Sequence, residues 1–248
     1  MLKKFERFIY NNSASVTTID EVFYSQIKPR FLNSNKLHII PNFVDTELYK
    51  PIESNLILPP TFDKVNNKIK LLYAGNIGFF QDWEPILYAA SELINENVEF
   101  WIIGEGVQKQ YLENSVKENG LTNIKIYPYQ NRSYMPAINN FADIHFIVIN
   151  KEMEQEGFPS KVYTIMACAK PLIVVTGVKT PLFNFLSKKD CSELITENRN
   201  EEFVRSIRKL ASDKNLRLQL GNNGFKHIHE SYSKEIVISK YLNLLNTL

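Results

Sequence analysis

From residue 69 onward, short apolar runs rich in β-branched residues alternate with stretches whose apolar residues recur at helical spacing, and this alternation leaves few folds open. Residues 69–74, 98–103, 124–127, 144–149 and 171–175 read as strands, each apolar at nearly every position. A strand shows that pattern when both of its faces are buried. Residues 82–95, 107–119, 133–141 and 160–169 read as the helices between them. Strand, helix, strand, helix is the signature of a Rossmann-like, doubly wound parallel α/β sheet. Such a sheet takes its ligand in the crevice outside the carboxyl ends of its strands, so the loop after each strand is where function is expected.

The rest of the chain is read around that sheet. Its 248 residues, 44% of them hydrophobic, suffice for a sizeable core. The net charge of +2 arises from 29 basic and 27 acidic residues and calls for neither nucleic acid nor an anionic membrane as a partner. Cys168 and Cys191 fit no metal spacing, and Cys168 reads as a small core residue, so a reducing cytosol is the simpler compartment. Charges interrupt any signal-peptide core at the N-terminus, and no apolar run approaches the roughly 20 residues that span a bilayer. Helices are expected over 2–10 and 21–31 with a strand over 14–19, then a strand from Leu37 into a turn at Pro41. Residues 42–68 carry Pro51, Pro59 and Pro60 and read as an irregular connection. The last third is helical over 201–212, 215–229 and 234–245, and the final helix carries more apolar surface than a free tail should.

The loop leading into the fourth predicted helix is the most informative. Glu156-Gly157-Phe158-Pro159-Ser160-Lys161 places a turn before an apolar helix, with Pro159 suited to the first helical position. First-turn N–H groups left unpaired, together with the macrodipole, would seat a phosphate, with the Ser160 hydroxyl and Lys161 charge beside it. A capped core helix with a solvated lysine is the other reading. Gly75-Asn76-Ile77-Gly78 and Gly104-Glu105-Gly106 end two strands and serve either as turns or as backbone approached by a ligand. Tyr129 and Gln130 end a third, where an aromatic ring could stack on a base or simply make a surface turn. Glu152, Glu154 and Glu156 alternate in one loop, which suits a hard cation or a solvated acidic segment. No Asp-x-Asp pair, P-loop or Gly-x-Ser-x-Gly elbow occurs. His38, His145, His227 and His229 are read as structural.

Taken together, these segments resemble the donor-binding half of a GT-B glycosyltransferase of the large retaining family 4. Residues 40–45 (Ile-Pro-Asn-Phe-Val-Asp) resemble the motif at the entry to its second domain, and 72–78 its first strand and glycine loop. Residues 101–106 resemble the next strand end, 141–144 the Ala-Asp step before the fourth strand, and 156–171 the Glu-x7-Glu region with the Lys-Pro that follows. The resemblance implies that Glu156 contacts the transferred sugar and that Lys161 and Ser160 hold the diphosphate. It places Gly75, Asn76, Gly78, Gly104, Tyr129, Gly157, Phe158, Pro159 and Thr164 around the donor. Thr164 stands where the family's second Glu binds ribose; Phe79 to Trp83 replace its basic pair, and Ala169 its last glycine. A Pro-Ser-Lys subgroup similar to bacterial polysaccharide transferases shares these departures.

The function implied is transfer of a sugar from a nucleoside diphosphate, UDP favoured, to an acceptor hydroxyl, with no metal or other cofactor and with a departing phosphate oxygen as the base. The expected organisation is residues 1–35 as the tail of an N-terminal acceptor domain otherwise missing, 36–232 as the nucleotide-sugar domain, and 233–248 as a crossover helix. On this reading the chain alone binds donor without transferring it. The intact enzyme would be cytoplasmic, with peripheral association at the inner face of the membrane open to it. A non-catalytic nucleotide-sugar-binding or interaction module is the alternative, and a doubly wound protein sharing only the phosphate seat is a third.

Overall fold

The structure, a computed structural model, describes residues 2–62, 66–155 and 157–248; residues 63–65 of the expected irregular connection lie outside them. In chain order the elements are α1 (Leu2–Asn12), β1 (Val16–Thr18), α2 (Glu21–Ile27), β2 (Leu37–Ile39), β3 (Ile69–Ala74), α3 (Glu84–Glu92), β4 (Val98–Ile103), α4 (Lys109–Glu118) and β5 (Ile124–Tyr127). There follow α5 (Met135–Phe141), β6 (Ile144–Val148), α6 (Lys161–Ala167), β7 (Leu172–Val175), α7 (Pro181–Leu186), β8 (Ser192–Ile195), α8 (Arg199–Ser212), α9 (Lys214–Ser231) and α10 (Lys234–Leu245). Strands β3 to β8 form one six-stranded sheet in the order β5-β4-β3-β6-β7-β8, parallel throughout. The doubly wound α/β sheet expected from the alternation is therefore present.

The strand order decides where a site can lie. From β3 the chain steps outward to β4 and β5, returns to the other side of β3 with β6, and steps outward again to β7 and β8. The segments after β3 and β6 thus leave in opposite directions and open a crevice above two neighbouring strands. Every position of β4, β6 and β7 is buried. Alternate residues of β6 serve opposite faces: Phe146 and Val148 belong to the same buried cluster as Ala89, Ala90 and Phe203, and Ile147 to the cluster of Met166, Leu182 and Ile228. Helix α3 packs beside α8 on one side, and α6 beside α9 on the other. At the amino ends of β3 and β4, Lys70 Nζ lies 3.3 Å from Glu99 Oε2, which also accepts from Trp101 Nε1 at 2.6 Å. Burial raises the Glu99 carboxyl, but these partners hold it below its ordinary value.

Several boundaries differ from the sequence reading, each for a local reason. Helix α2 stops at Ile27 rather than 31, because Pro29 lacks the N–H that would continue it, and Lys28–Arg30 closes as one 3-10 turn. Strand β8 and the short α7 were not foreseen; Ser192-Glu193-Leu194-Ile195 is half polar, as an edge strand with one neighbour can be. Strands β1 and β2 pair with each other in a separate two-stranded parallel sheet, so the expected boundary at residue 36 falls inside that sheet. Helix α1 turns its polar side inward. Glu6 pairs with Arg30 at 2.5 Å and Tyr10 stacks on Phe31, while Leu2, Phe5, Phe8 and Ile9 remain exposed. No described helix is long and apolar enough to cross a membrane.

Two backbone positions carry predictions. Ala169 closes α6 at φ +53°, with its N–H bonded to Met166 O and the Lys170 N–H to Ile165 O. A left-handed L-residue costs roughly 1–2 kcal/mol, so Ala169→Gly should raise stability by up to about 1 kcal/mol once the added freedom of the unfolded chain is subtracted. Gly104 sits at φ +154°, and a Cβ there would overlap the Gly75 carbonyl oxygen. Gly104→Ala should lower stability by about 2–5 kcal/mol from combined strain and overpacking. Denaturant unfolding of the two variants checks both signs.

Candidate functional site

The segments after β3 and β4 are joined backbone to backbone beyond the strands themselves. Gly75 N–H donates to Ile103 O at 2.9 Å, Ile77 N–H to Glu105 O at 2.8 Å, and Gln108 N–H to Ile77 O at 2.9 Å. This close approach is why Gly104 tolerates no side chain. A Cβ on Gly78 would come within 2.7 Å of Asn76 Nδ2. Gly75, Asn76, Gly78 and Gly104, all singled out from the sequence, therefore share one end of the sheet. For Gly104 the packing of the two loops is sufficient reason for the glycine.

Lys161 enters this cluster from the other side of the crevice. Its ammonium lies 3.7 Å from the centroid of the Tyr73 ring, a cation–π contact, and a Cβ on Gly75 would stand only 2.5 Å from Nζ. The bare Gly75 backbone thus leaves the slot that the ammonium fills. Tyr73 is held in turn by its hydroxyl, which donates to Asn76 O at 2.6 Å. Burial pushes the Lys161 ammonium down from 10.5 to about 7, and no charge among the described residues opposes that.

The start of α6 corrects the sequence reading in two ways. The helix is seven residues, begins at Lys161 and has Ser160 as its N-cap, so Pro159 precedes the cap instead of occupying the first helical position. Val162 N–H bonds to Pro159 O and Tyr163 N–H to Ser160 O, both at 3.1 Å, so two of the first-turn groups expected to be unpaired are already engaged. The Ser160 side chain makes no cap bond. Positive potential at this end rests chiefly on Lys161.

The remaining expected residues are distributed unevenly. Glu156 lies outside the described residues. A Cβ on Gly157 would make only ordinary contact with Phe80, so packing does not demand a glycine there. Phe158 packs on Tyr163 and Phe185 at centroid distances of 5.4 and 5.1 Å, beside a cavity of about 310 Å³ that Ile19, Asp20 and Tyr232 also line. Thr164 Oγ1 donates to Lys161 O at 2.9 Å, leaving its lone pairs as acceptors. Tyr129 is exposed on the far side of β4, and no described contact joins it to Lys161. His145 is buried with Nε2 3.0 Å from Asn139 O, and burial pushes it down to about 3, as suits a structural histidine.

One participant escaped the sequence reading. Half-buried Glu154 is an ion-pair partner: its Oε2 accepts from Arg199 Nη2 at 2.9 Å and from Gly177 N–H at 2.7 Å. Arg199 also donates through Nη1 to Ile149 O at 2.8 Å and lies 3.8 Å from Asp82 Oδ2. A lone arginine opening a helix gives no local signal, since its partners are 45 and 50 residues away in sequence.

Comparison with known proteins agrees with this geometry. The profile of the family described as Glycosyl transferases group 1 matches residues 58–227. WcaI of Escherichia coli (strain K12), provisionally named a colanic acid biosynthesis glycosyl transferase, is 27% identical over 180 residues, which are 72% of this chain and 44% of that protein. The chain thus spans less than half the length of that relative. An uncharacterized glycosyltransferase, MJ1069 of Methanocaldococcus jannaschii, is 22% identical over 99% of this chain and 62% of its own length. Among solved structures, HepE of Anabaena in complex with UDP-glucose superposes with a TM-score of 0.79 at 14% identity, covering 99% of this chain and 67% of that one. Sucrose-phosphate synthase of Thermosynechococcus elongatus does so with a TM-score of 0.78 at 16% identity, covering 99% and 61%. These structural neighbours are glycosyltransferases of the GT-B fold, and the chain belongs to the glycosyl transferases group 1 family.

Proposed function

We propose that this chain is the donor-binding, C-terminal part of a retaining, family 4-like glycosyltransferase, which moves a sugar from a nucleoside diphosphate sugar to an acceptor hydroxyl. The observation that carries this is Lys161: a buried ammonium with no compensating charge among the described residues, set at the topological switch point of a group 1 family member. Burying an ionised ammonium is costly, and an arriving anion relieves that cost. On this reading the diphosphate meets Lys161 and the Ser160 hydroxyl, the backbone of Gly157 and Phe158 borders the transferred sugar, and Glu156 contacts it. Gly75, Asn76 and Gly78 line the phosphate side, Pro159 shapes the entry to α6, and Thr164 accepts a ribose hydroxyl. Stabilising the charge that develops on the leaving diphosphate is electrostatic catalysis, and a departing phosphate oxygen serves as base. UDP is the favoured nucleotide, a choice supported by the HepE complexes with UDP-glucose and UDP. The similarity to WcaI supports a role in polysaccharide or glycoconjugate synthesis.

Acceptor binding belongs, in this proposal, to a further α/β domain of which residues 1–35, with α1, β1 and α2, are the tail. A two-stranded parallel sheet is marginal alone, and the outward apolar side of α1 is the kind of surface such a domain would cover. The chain by itself should then bind donor without transferring sugar. A non-catalytic nucleotide-sugar module is the second reading, favoured by Thr164, whose single hydroxyl already donates within its own helix.

Two measurements test the seat. At pH 8 the free chain holds Lys161 largely neutral, so UDP binding should take up close to one proton, seen by calorimetry in buffers of different ionisation enthalpy. Lys161→Met should abolish the uptake and weaken UDP at least about tenfold; unchanged affinity would count against the seat. The second measurement concerns stability without ligand. The folded value near 7 lies below the unfolded value of 10.5, so the unfolded chain binds the extra proton between them and stability rises over that window. Below pH 7 the full penalty is present. Lys161→Met should therefore be the more stable chain at pH 6–7, by up to about 5 kcal/mol, with the difference shrinking toward pH 10.

A further inference from the structure

We propose that Arg199 is a positioning residue for the same crevice, clamping the segment after β6 so that Gly157, Phe158 and Ser160 are delivered to a fixed place. The proposal rests on the donor-site reading above. Its basis is one guanidinium joined to segments that follow four different strands. Nη1 holds Ile149 O at the end of β6 and Nη2 holds Glu154 farther along the same segment. Glu154 Oε2 in turn holds the Gly177 N–H after β7, Asp82 after β3 faces Nη1, and Arg199 itself follows β8.

The arrangement exceeds what stability requires. Helix α8 is already anchored by Phe203, Val204, Ile207 and Leu210, all buried. An ion pair buried for stability alone is often matched or bettered by apolar side chains of similar volume. What an apolar side chain cannot do is hold a carbonyl and a carboxylate at once with a second carboxylate 3.8 Å away, which the planar fork of arginine does. The chain also adopts a left-handed backbone at Asn198, φ +45°, immediately before Arg199. The clamp closes on Glu154, six residues before Ser160, so freedom lost at Glu154 is freedom lost at the phosphate seat.

The test compares Arg199→Met, Arg199→Lys and Glu154→Gln with the unaltered chain, measuring the UDP dissociation constant well below each thermal midpoint. Amide hydrogen exchange of the ligand-free proteins is measured in parallel. Arg199→Met should weaken UDP at least about tenfold and Glu154→Gln several-fold, with Arg199→Lys between the unaltered chain and Arg199→Met. Exchange should quicken at residues 149–155 and at the Gly177 N–H while the amides of β4 and the middle of α8 stay protected, a local pattern that general destabilisation does not produce. UDP constants within twofold of the unaltered chain in both Arg199→Met and Glu154→Gln overturn the proposal. So does unchanged exchange at Gly177. Should Arg199→Met fail to fold, Glu154→Gln, which keeps the side-chain volume, decides the matter. If the unaltered chain binds no UDP, the donor reading is what fails, and the exchange pattern alone decides whether the clamp exists.

Discussion

Everything in this molecule follows from burying parallel strands on both faces. Strands β4, β6 and β7 expose nothing, so polar groups have nowhere to sit except at strand ends. At the amino ends the buried polar groups are paired: Lys70, Glu99 and Trp101 bond one another and Asn66, and His145 meets Asn139 O. At the carboxyl ends the chain must turn while the ladder between β3 and β4 is still being made, and Gly75 and Gly104 are the residues that let two turning backbones touch. The reversal of strand order between β3 and β6 then opens a crevice beside those bare backbones.

Two buried cations flank that crevice, and they are treated oppositely. Arg199 cannot lose its proton, so the fold surrounds it with a carbonyl and carboxylates. Lys161 can lose its proton, and what the described residues set against its ammonium is the face of Tyr73. One cation is committed to architecture and the other is left able to respond. A folded chain that keeps a group in an environment it disfavours is sacrificing stability, and such local conflicts are expected at functional sites.

The sequence was legible wherever a rule acts over a few residues. Five of the six main strands and the glycine loops could be placed, because two-sided burial forces continuous apolar runs and close backbone approach forces glycine. The relation of Lys161 to Gly75 was not visible, although both residues were, because 86 positions separate them and only the sheet order brings them together. Strand β8 was missed because an edge strand has half the apolar demand of a central one. Pro159 was placed two residues too far into its helix, because the N-cap falls on Ser160 and the first helical residue is Lys161. Glu154 was read from its acidic neighbours, when its partner was an arginine that local pattern cannot supply.

The reach of Arg199 along the chain also sets an order of events during synthesis. Ile149, Glu154, Gly177 and Asp82 are all made before the cation that gathers them. Until residue 199 is made, the carboxylate of Glu154 has no Arg199 countercharge beside its Gly177 N–H. Arg199 can join the rim of the crevice only once the chain has passed β8, and helices α8 and α9, which cover the two faces of the sheet, are completed later still, so the crevice depends on the last third of the chain as much as on the strands that form its floor.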